Sequence, residues 1–509
     1  MKIPKISLLL LLWGCFILSL EGISLPYGSA FAPDVHGDLH YSLLNYPERT
    51  QDATLDIYGN GLYLPFANLP RFSDAFIDAF RPGKARHSLV GYQSPDSLLQ
   101  AEFNFLAGYE YAKGEEACGF IYKGYYIKAE VAKRLHLNTF WWNGMFMGDK
   151  AEARNSELAD GYIKDSADKL RLDNISADIS YHAPAYTLAL GRGKFPIGNS
   201  FSGSIILNDE VNDYGYLLAE GMLGDFSLSV LHASLQADSV YAIYSSSAVN
   251  SKTYPDKFLA LHQLTYTPSP MLKLFMGESV VYGNRGMDIN YLVPNAFWRA
   301  TEHNLGDKDN MMVFGGARYQ ANNQLTCYAQ VAFDEFSYNK LFTSWWGNKY
   351  ALQGGVQLII PALSLCAKPL KANIELTAVR PFTYTHYMNH TMYSHDGHPL
   401  GYPKGSNIVD ISLGLSIPLP REVTLISEAS YSKQGSYGSS WQQNYNDLFA
   451  HTSQSAKAKW FQGDVSKFTT IDNALLIDIF AHHRLLAGWS ARYDNDWESK
   501  LYAGWQLHY

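Results

Sequence analysis

A two-residue hydrophobic period recurs along most of this chain and runs to its last residue. Leu501, Ala503, Trp505, Leu507 and Tyr509 form the final apolar row. Leu325, Cys327, Ala329, Val331 and Phe333 alternate with Thr326, Gln330 and Asp334. Val423, Leu425, Ala429 and Tyr431 alternate with Glu422, Thr424, Glu428 and Ser430, and Leu485 to Tyr493 alternate with Arg484, Gly488, Ser490 and Arg492. An early strand carries Phe103, Phe105, Ala107, Tyr109 and Tyr111 on one face. Extended chain points successive side chains to opposite faces, so each segment is a strand with one apolar and one polar side. Soluble sandwiches and membrane-spanning barrels both produce this pattern. A sandwich reading would need several sandwiches in one chain of 509 residues, with 14% aromatic and only 17% charged residues.

Three further features favour the barrel. The final row, ending on an aromatic residue, resembles the C-terminal strand of bacterial outer-membrane β-barrels, where it serves as an assembly signal. At the other end, Lys2 and Lys5 precede the apolar stretch Ile6–Leu20, and Gly22, Ser24, Gly28, Ser29 and Ala30 follow Glu21. A basic start, an apolar middle and a small-residue exit read as a secretory signal peptide, residues 1–22, cleaved between Gly22 and Ala30. As a membrane anchor the stretch is short of the ~20 residues that a spanning helix needs. No other run of 18 or more apolar residues occurs. Three cysteines then remain, Cys118, Cys327 and Cys366, and an odd number in an exported chain argues against a disulfide framework. At 47% hydrophobic residues disorder is excluded, and a net charge of −8 without a basic run argues against nucleic-acid binding.

Turn spacing is the third feature. Tight turns are expected at His182-Ala183-Pro184, Gly224-Asp225, Pro268-Ser269-Pro270, Asn322-Asn323 and Pro418-Leu419-Pro420, with one more at Lys133-Arg134. Long polar connections alternate with them, at 143–172, 193–213, 236–257, 283–310, 337–349, 381–407 and 433–473. Short periplasmic turns and long extracellular loops are the asymmetry of outer-membrane barrels. The fold class is therefore all-β, a transmembrane outer-membrane antiparallel β-barrel of about 18 strands over residues 98–509. Residues 23–97 read as a periplasmic or plugging segment, with Ser73 capping a short helix that contains Ala75, Phe76, Ile77, Ala79 and Phe80.

Lys128, Glu130, Asp334, Glu375, Glu428, Arg484, Arg492 and Lys500 fall on polar rows and so face the lumen. Mixed charges there can form a filling network of ion pairs or line a hydrated channel. Glu375 and Arg380 form one expected pair. His386, His390, His395 and His398 crowd one loop beside Asp396, at spacings that match no standard zinc motif. No nucleophile elbow, HExxH or phosphate loop is present, and no cofactor or metal is expected.

Several ordered segments together resemble the capsule-assembly Wzi family of outer-membrane proteins. They are Leu190-Gly191-Arg192 running into Gly198-Asn199 and Ser204–Asn208; Tyr291–Asn295 with Arg299, Glu302 and Asp309-Asn310; Tyr328-Ala329-Gln330 through Asp334-Glu335-Phe336; and Glu375, Arg380-Pro381, Tyr384 and His386 with Pro399-Leu400-Gly401 and Gly405-Ser406-Asn407. The resemblance implies an 18-stranded barrel, occluded by extracellular and periplasmic elements, that attaches capsular polysaccharide to the cell surface in a lectin-like way. It points to Arg192, Arg299, Glu302, Asp334, Glu375 and Arg380 as charges bracing the lumen or rim. Independently, Trp345, Trp346, Tyr384, Tyr387, Tyr393, Trp441 and Tyr445 lie in long loops, where aromatic faces can stack on sugars or form the interfacial girdle. Tyr384, His386, Tyr387 and Trp441 complete the candidate site. The expected function is non-enzymatic attachment of surface or capsular polysaccharide; a substrate-specific porin is the alternative, and a hydrolase with its site at the rim a third. Expected partners are the polysaccharide, outer-membrane lipid and the barrel-assembly machinery, with the protein a monomer.

Overall fold

The computed structural model describes residues 89–154, 162–166, 169–237, 240–242, 251–335, 337–361, 369–443, 457–480 and 483–508. The expected signal peptide, the helix proposed after Ser73, Cys366, Tyr445 and the terminal Tyr509 lie outside them.

One antiparallel sheet dominates. Two of its twenty strands, Val90–Gln93 and Tyr162–Asp165, are short additions at its edges. The other eighteen follow one another around a ring. β1 (Leu99–Lys113), β2 (Ala117–Val131), β3 (Leu135–Gly148) and β4 (Lys169–Ala183) open it. β5 (Tyr186–Gly193), β6 (Tyr214–Leu223), β7 (Phe226–Gln236), β8 (Asp256–Ser269) and β9 (Leu272–Gly283) follow. Next come β10 (Asn310–Asn322), β11 (Leu325–Glu335), β12 (Lys349–Ile360), β13 (Leu370–Val379) and β14 (Ile408–Leu419). β15 (Val423–Gly435), β16 (Val465–Phe480), β17 (His483–Asp494) and β18 (Asp496–His508) complete the ring. β18 pairs back onto β1, from Leu106↔His508 to Lys113↔Leu501, so the sheet closes and leaves no open edge.

The burial pattern is that of a soluble protein turned inside out. Leu188, Leu190, Leu217, Met276, Ile374 and Leu413 are exposed on the outer face, while Asn104, Glu110, Ser180, Glu375, Ser412 and Ser432 are buried on the inner one. Apolar side chains stay exposed over a whole wall when the wall faces hydrocarbon. No helix among the described residues is long and apolar enough to cross a membrane; the strands make the crossing.

One rim carries the turns at 132–134, 184–185, 224–225, 270–271, 323–324 and 420–422. At the last of these Arg421 and Glu422 both take positive φ, +66° and +54°, as a tight hairpin requires. From the opposite rim leave the connections after β3, β5, β7, β9, β11, β13 and β15, matching the positions of the expected long loops, with strands a few residues longer than the sequence alone suggested. Among the described residues two short α-helices lie in these loops, α1 (Lys150–Arg154) and α2 (Trp298–Asn304), with three 3-10 turns at Ile289–Leu292, Tyr338–Lys340 and Asn389–Thr391.

Apolar packing falls into three main bodies. Inside the barrel, loops 194–213 and 380–407 join the inward rows of β6 to β12 in one cluster. A second interior cluster, with Phe120, Tyr122, Phe146, Leu486 and Tyr502, fills the sector around β1–β4 and β16–β18. The third lies on the outside, where loop 284–309 covers the outward residues Ala260, Val280, Tyr282 and Met311.

Candidate functional site

Loop 194–213 turns inward after β5. Ile205, Ile206 and Leu207 are completely buried, and so is Phe195. Withdrawing those three aliphatic side chains from water favours the inserted loop by roughly 5 kcal/mol. Its polar backbone is satisfied by the wall. The Glu375 carboxylate accepts the backbone N–H groups of Phe201 (2.8 Å) and Ser202 (2.9 Å), the Ser202 hydroxyl (2.5 Å) and Gln353 Nε2 (3.0 Å). The Tyr328 hydroxyl also donates to it. Gln330 Oε1 accepts the N–H of Asn199 at 2.7 Å, and Gln353 Nε2 donates to the Gly203 carbonyl at 2.9 Å. Four inward residues on three adjacent strands therefore hold one loop. Gly414 on β14 gives the room: a Cβ there would stand 2.1 Å from the Phe201 ring.

Loop 380–407 folds over the first. The Tyr384 hydroxyl donates to the Ile205 carbonyl (2.9 Å) and the Tyr393 hydroxyl to that of Ile206 (2.8 Å). Asn208 Nδ2 donates to the Pro399 carbonyl at 2.8 Å and to that of Gly401. The Asp334 carboxylate accepts the N–H of Tyr384 at 2.7 Å. Phe382 and Tyr384 both take left-handed backbone, φ +65° and +74°, a conformation that persists in bulky residues only where surroundings fix it. Here the Gly438 carbonyl and Asp334 fix it by accepting their N–H groups.

Arg380 ties the upper loops together. Its guanidinium donates to the carbonyls of Asn348 (3.3 Å) and Ala458 (3.1 Å) and lies against the Tyr350 and Trp460 rings. Loops 336–348 and 457–464 also meet directly through the Ala458 N–H and the Ser344 carbonyl at 2.8 Å. Above this junction lie Tyr338 and Phe342, strongly exposed, Tyr437, about half exposed, and the half-buried Trp345, Trp346 and Trp460. Lys340 sits 4.7 Å from the Trp345 ring centre. The aromatic faces, amide groups and ammonium together suit stacking on pyranose rings and hydrogen bonding to hydroxyl or acidic sugar groups.

The predicted residues divide between three places. Glu375, Asp334 and Arg380 are buried inside and hydrogen-bond to loops, but Glu375 and Arg380 are not partners of each other. Five residues of extended chain separate them by about 16 Å, and Arg380 has already entered the loop. Tyr384, expected to face sugar, is 1% exposed and plugs the lumen, as does Tyr393. Arg192 shares the exposed outer row of Leu188 and Leu190 at the rim of β5, and so does not brace the lumen. Arg299 and Glu302 stand on α2, outside the wall; there Arg299 Nη1 donates to Glu302 Oε2 at 3.2 Å. Burial pushes the Glu302 carboxyl up to about 7, with Arg299 opposing. Trp441 is half-buried against the lumen cluster. Tyr387 is exposed and donates to the Asp307 carbonyl at 2.8 Å.

The four loop histidines do not form one exposed cluster. His395 is buried, and its Nδ1 accepts the Gln236 N–H at 2.9 Å. His386 Nδ1 shares a 2.5 Å hydrogen bond with Thr391 Oγ1. Burial is the largest cause that lowers both imidazoles, to about 4 for His395 and about 3 for His386. The described groups that do approach metal-ligand spacing are Glu302, His303 and Asp307, with ligand atoms within 4.8 Å of one another. Sequence reasoning missed Tyr338, Phe342 and Trp460. The density of aromatics at 338–346, inside a loop already identified, was the available signal for the first two.

No family model matches this chain, and no curated protein matches it. Among solved structures it is similar to Wzi, an outer membrane protein involved in group 1 capsule assembly in Escherichia coli and a carbohydrate-binding β-barrel. That likeness has a TM-score of 0.50 at 12% identity and covers 80% of this chain and 84% of Wzi. OccAB2 of Acinetobacter baumannii gives a TM-score of 0.45 at 11% identity over 80% of this chain and 98% of its own. OprD of Pseudomonas aeruginosa gives 0.42 at 8% identity over 80% and 95%. At these identities the likeness to Wzi bears on the fold: the eighteen-stranded closed barrel expected from the sequence is the one observed.

Proposed function

We propose that this chain is a non-enzymatic outer-membrane barrel that holds surface polysaccharide at its extracellular rim, its lumen shut by its own loops. The observation that carries this reading is the anchoring of loop 194–213 on Glu375, Gln330 and Gln353, roofed by Tyr384 and Tyr393. A pore that passes solute has no use for a plug whose backbone donors are bound one by one to the wall. The aromatic rim over Arg380 then offers the stacking surface that a glycan requires. The carbohydrate binding of Wzi, on a similar fold, agrees with the reading. The polysaccharide is the producer's own capsular or other surface glycan. A cleaved signal peptide and the barrel-assembly machinery would deliver the chain, and it would act as a monomer.

The test is binding of the purified protein to envelope glycans of the producing cell, on an array or by pull-down. Absence of binding to every envelope glycan at high protein concentration refutes the proposal. A second reading, a substrate-specific porin, is favoured by one observation: four carboxylates, Glu110, Asp178, Glu428 and Asp472, face inward from β1, β4, β15 and β16. Planar-bilayer recording separates the two, because steady cation-selective conductance through the unaltered protein supports the porin and a silent bilayer supports the plugged binder.

A further inference from the structure

Strand β9 is the place where the lipid-facing wall is interrupted. Its outward row runs Leu272, Leu274, Met276, Glu278, Val280 and Tyr282. Leu274 and Met276 are exposed as a barrel wall should be, but Val280 and Tyr282 are completely buried. Ala260 on β8 and Met311 on β10 are buried in the same outward patch. Loop 284–309 covers them. Tyr291 and Trp298 are buried in the patch, and Ala296 and Leu305 pack against it.

Under that cover the wall carries a polar pair that hydrocarbon would not accept. His262 Nε2 lies 3.1 Å from Glu278 Oε2 on the outer face. The Trp298 indole stacks on the His262 ring at 4.0 Å, and the Trp298 backbone N–H donates to Glu278 Oε2 at 2.8 Å. The loop is pinned at its two ends by Arg285, bidentate on Asp309 at 2.8 and 2.6 Å, and by the Tyr291 hydroxyl on the same carboxylate at 2.7 Å.

The height of the wall fixes where this loop sits. Bare wall on β9 runs only from Leu272 to Gly277. Six residues extend about 20 Å, or about 15 Å of height at a tilt near 40°, whereas the apolar band of such a barrel is about 25 Å tall. About 10 Å of band is missing unless the loop supplies it. The outward apolar side chains of residues 289–297 suit that role: Ile289 is 73% exposed, Phe297 64% and Val293 46%, whereas the exposed Arg299, His303 and Asp307 follow in the second half of the loop.

We propose that residues 289–297 of loop 284–309 are embedded in the outer leaflet, where Ile289, Val293 and Phe297 meet lipid acyl chains and continue the apolar band across the His262–Glu278 patch. The partner is the hydrocarbon of the membrane itself. The loop is a lipid-facing element of the wall, while loops 194–213 and 380–407 serve the lumen. This rests on the membrane-spanning reading, and the controls below keep the two separable.

The experiment places single nitroxide labels, through cysteine, on a chain whose own cysteines are replaced by alanine. The sites are Val293→Cys and Phe297→Cys, with Leu413→Cys on the bare wall and Tyr338→Cys on the extracellular rim. Heat-modifiable mobility on gels confirms that each folds. In liposomes, collision with oxygen is compared with collision with an aqueous nickel chelate. The oxygen-to-nickel ratio at 293 and 297 should match that at 413 and exceed that at 338 several-fold. A ratio at 293 and 297 equal to that at 338, with 413 lipid-exposed, overturns the proposal. Labels at both sites shielded from both agents mean that a protein partner or second copy covers the face, which also overturns it. A water-exposed label at 413 refutes the membrane-spanning reading instead.

Discussion

Replacing Glu375 with alanine should open the plug and leave the barrel standing. The side chain is fully buried, and it accepts two backbone donors of loop 194–213 that have no other acceptor in the wall, Phe201 N–H and Ser202 N–H. The Ser202 and Tyr328 hydroxyls can rotate toward other acceptors, and Gln353 Nε2 keeps Thr377 Oγ1 and the Gly203 carbonyl. The loss therefore falls mainly on the two amides. A buried donor left unsatisfied costs about 1–3 kcal/mol, and hydrogen bonds to a charged acceptor stand at the upper end, so the loop should lose about 3–5 kcal/mol. At about 1.4 kcal/mol per tenfold, opening becomes at least a hundredfold more frequent. The strand ladders do not pass through Glu375's carboxylate, so the folded barrel should still resist detergent at room temperature. Hydrogen exchange is the assay: the amides of Phe201 and Ser202 should lose at least a hundredfold of protection, while those of β16 and β17 keep theirs. In planar bilayers the variant should conduct where the parent is silent. Unchanged protection at 201 and 202 together with a silent bilayer would refute the argument that this carboxylate holds the plug.

Other perturbations separate the roles of the remaining groups. Gly414→Val should expel Phe201, because even a Cβ there stands 2.1 Å from that ring, and should reproduce the conductance of the Glu375 variant with the carboxylate intact; a silent bilayer would locate the anchor elsewhere. Acid should loosen loop 380–407. His386 and His395 are held neutral by burial, well below the ordinary 6.5, so their contribution is complete above about pH 6.5 and is lost as pH falls toward about 4. Protease cleavage within 380–407 should rise between pH 7 and pH 4.5, and His395→Gln should flatten that rise. Trp345→Ala and Tyr387→Ala should weaken glycan retention at least severalfold with thermal unfolding on gels unchanged, whereas Trp441→Ala, half-buried against the lumen cluster, should lower both. Arg380→Ala should leave the plug shut but loosen loop 337–348 against 457–464, which keep only their direct backbone contacts, read as increased cleavage at Lys340 or Lys457; unchanged cleavage would mean the carbonyl contacts of Arg380 hold nothing.

What the sequence determined by itself is the wall. A strand's side chains alternate strictly, and a wall between lipid and lumen demands opposite chemistry on its two faces, so the row Leu325 to Phe333 against Thr326, Gln330 and Asp334 is readable without any knowledge of neighbours. Turn residues and loop lengths then give strand number and the two rims, because each hairpin is local. The loops obey no such period. Ile205, Ile206, Leu207 and Tyr384 lie in segments that look like polar connections, and only three-dimensional packing shows that they meet inside the barrel. Glu375 was legible as an inward charge, but not its partners, since Phe201 and Ser202 are more than 170 residues away. The side of the wall on which a loop lies is equally unreadable. Arg299 and Glu302 were expected to brace lumen or rim, and they stand outside because Trp298 and Tyr291 cover an outward-facing apolar patch around the His262–Glu278 pair, a contact decided by three strands side by side. Local periodicity specifies which way a strand residue points; only the closed sheet specifies what a long loop will find when it folds back.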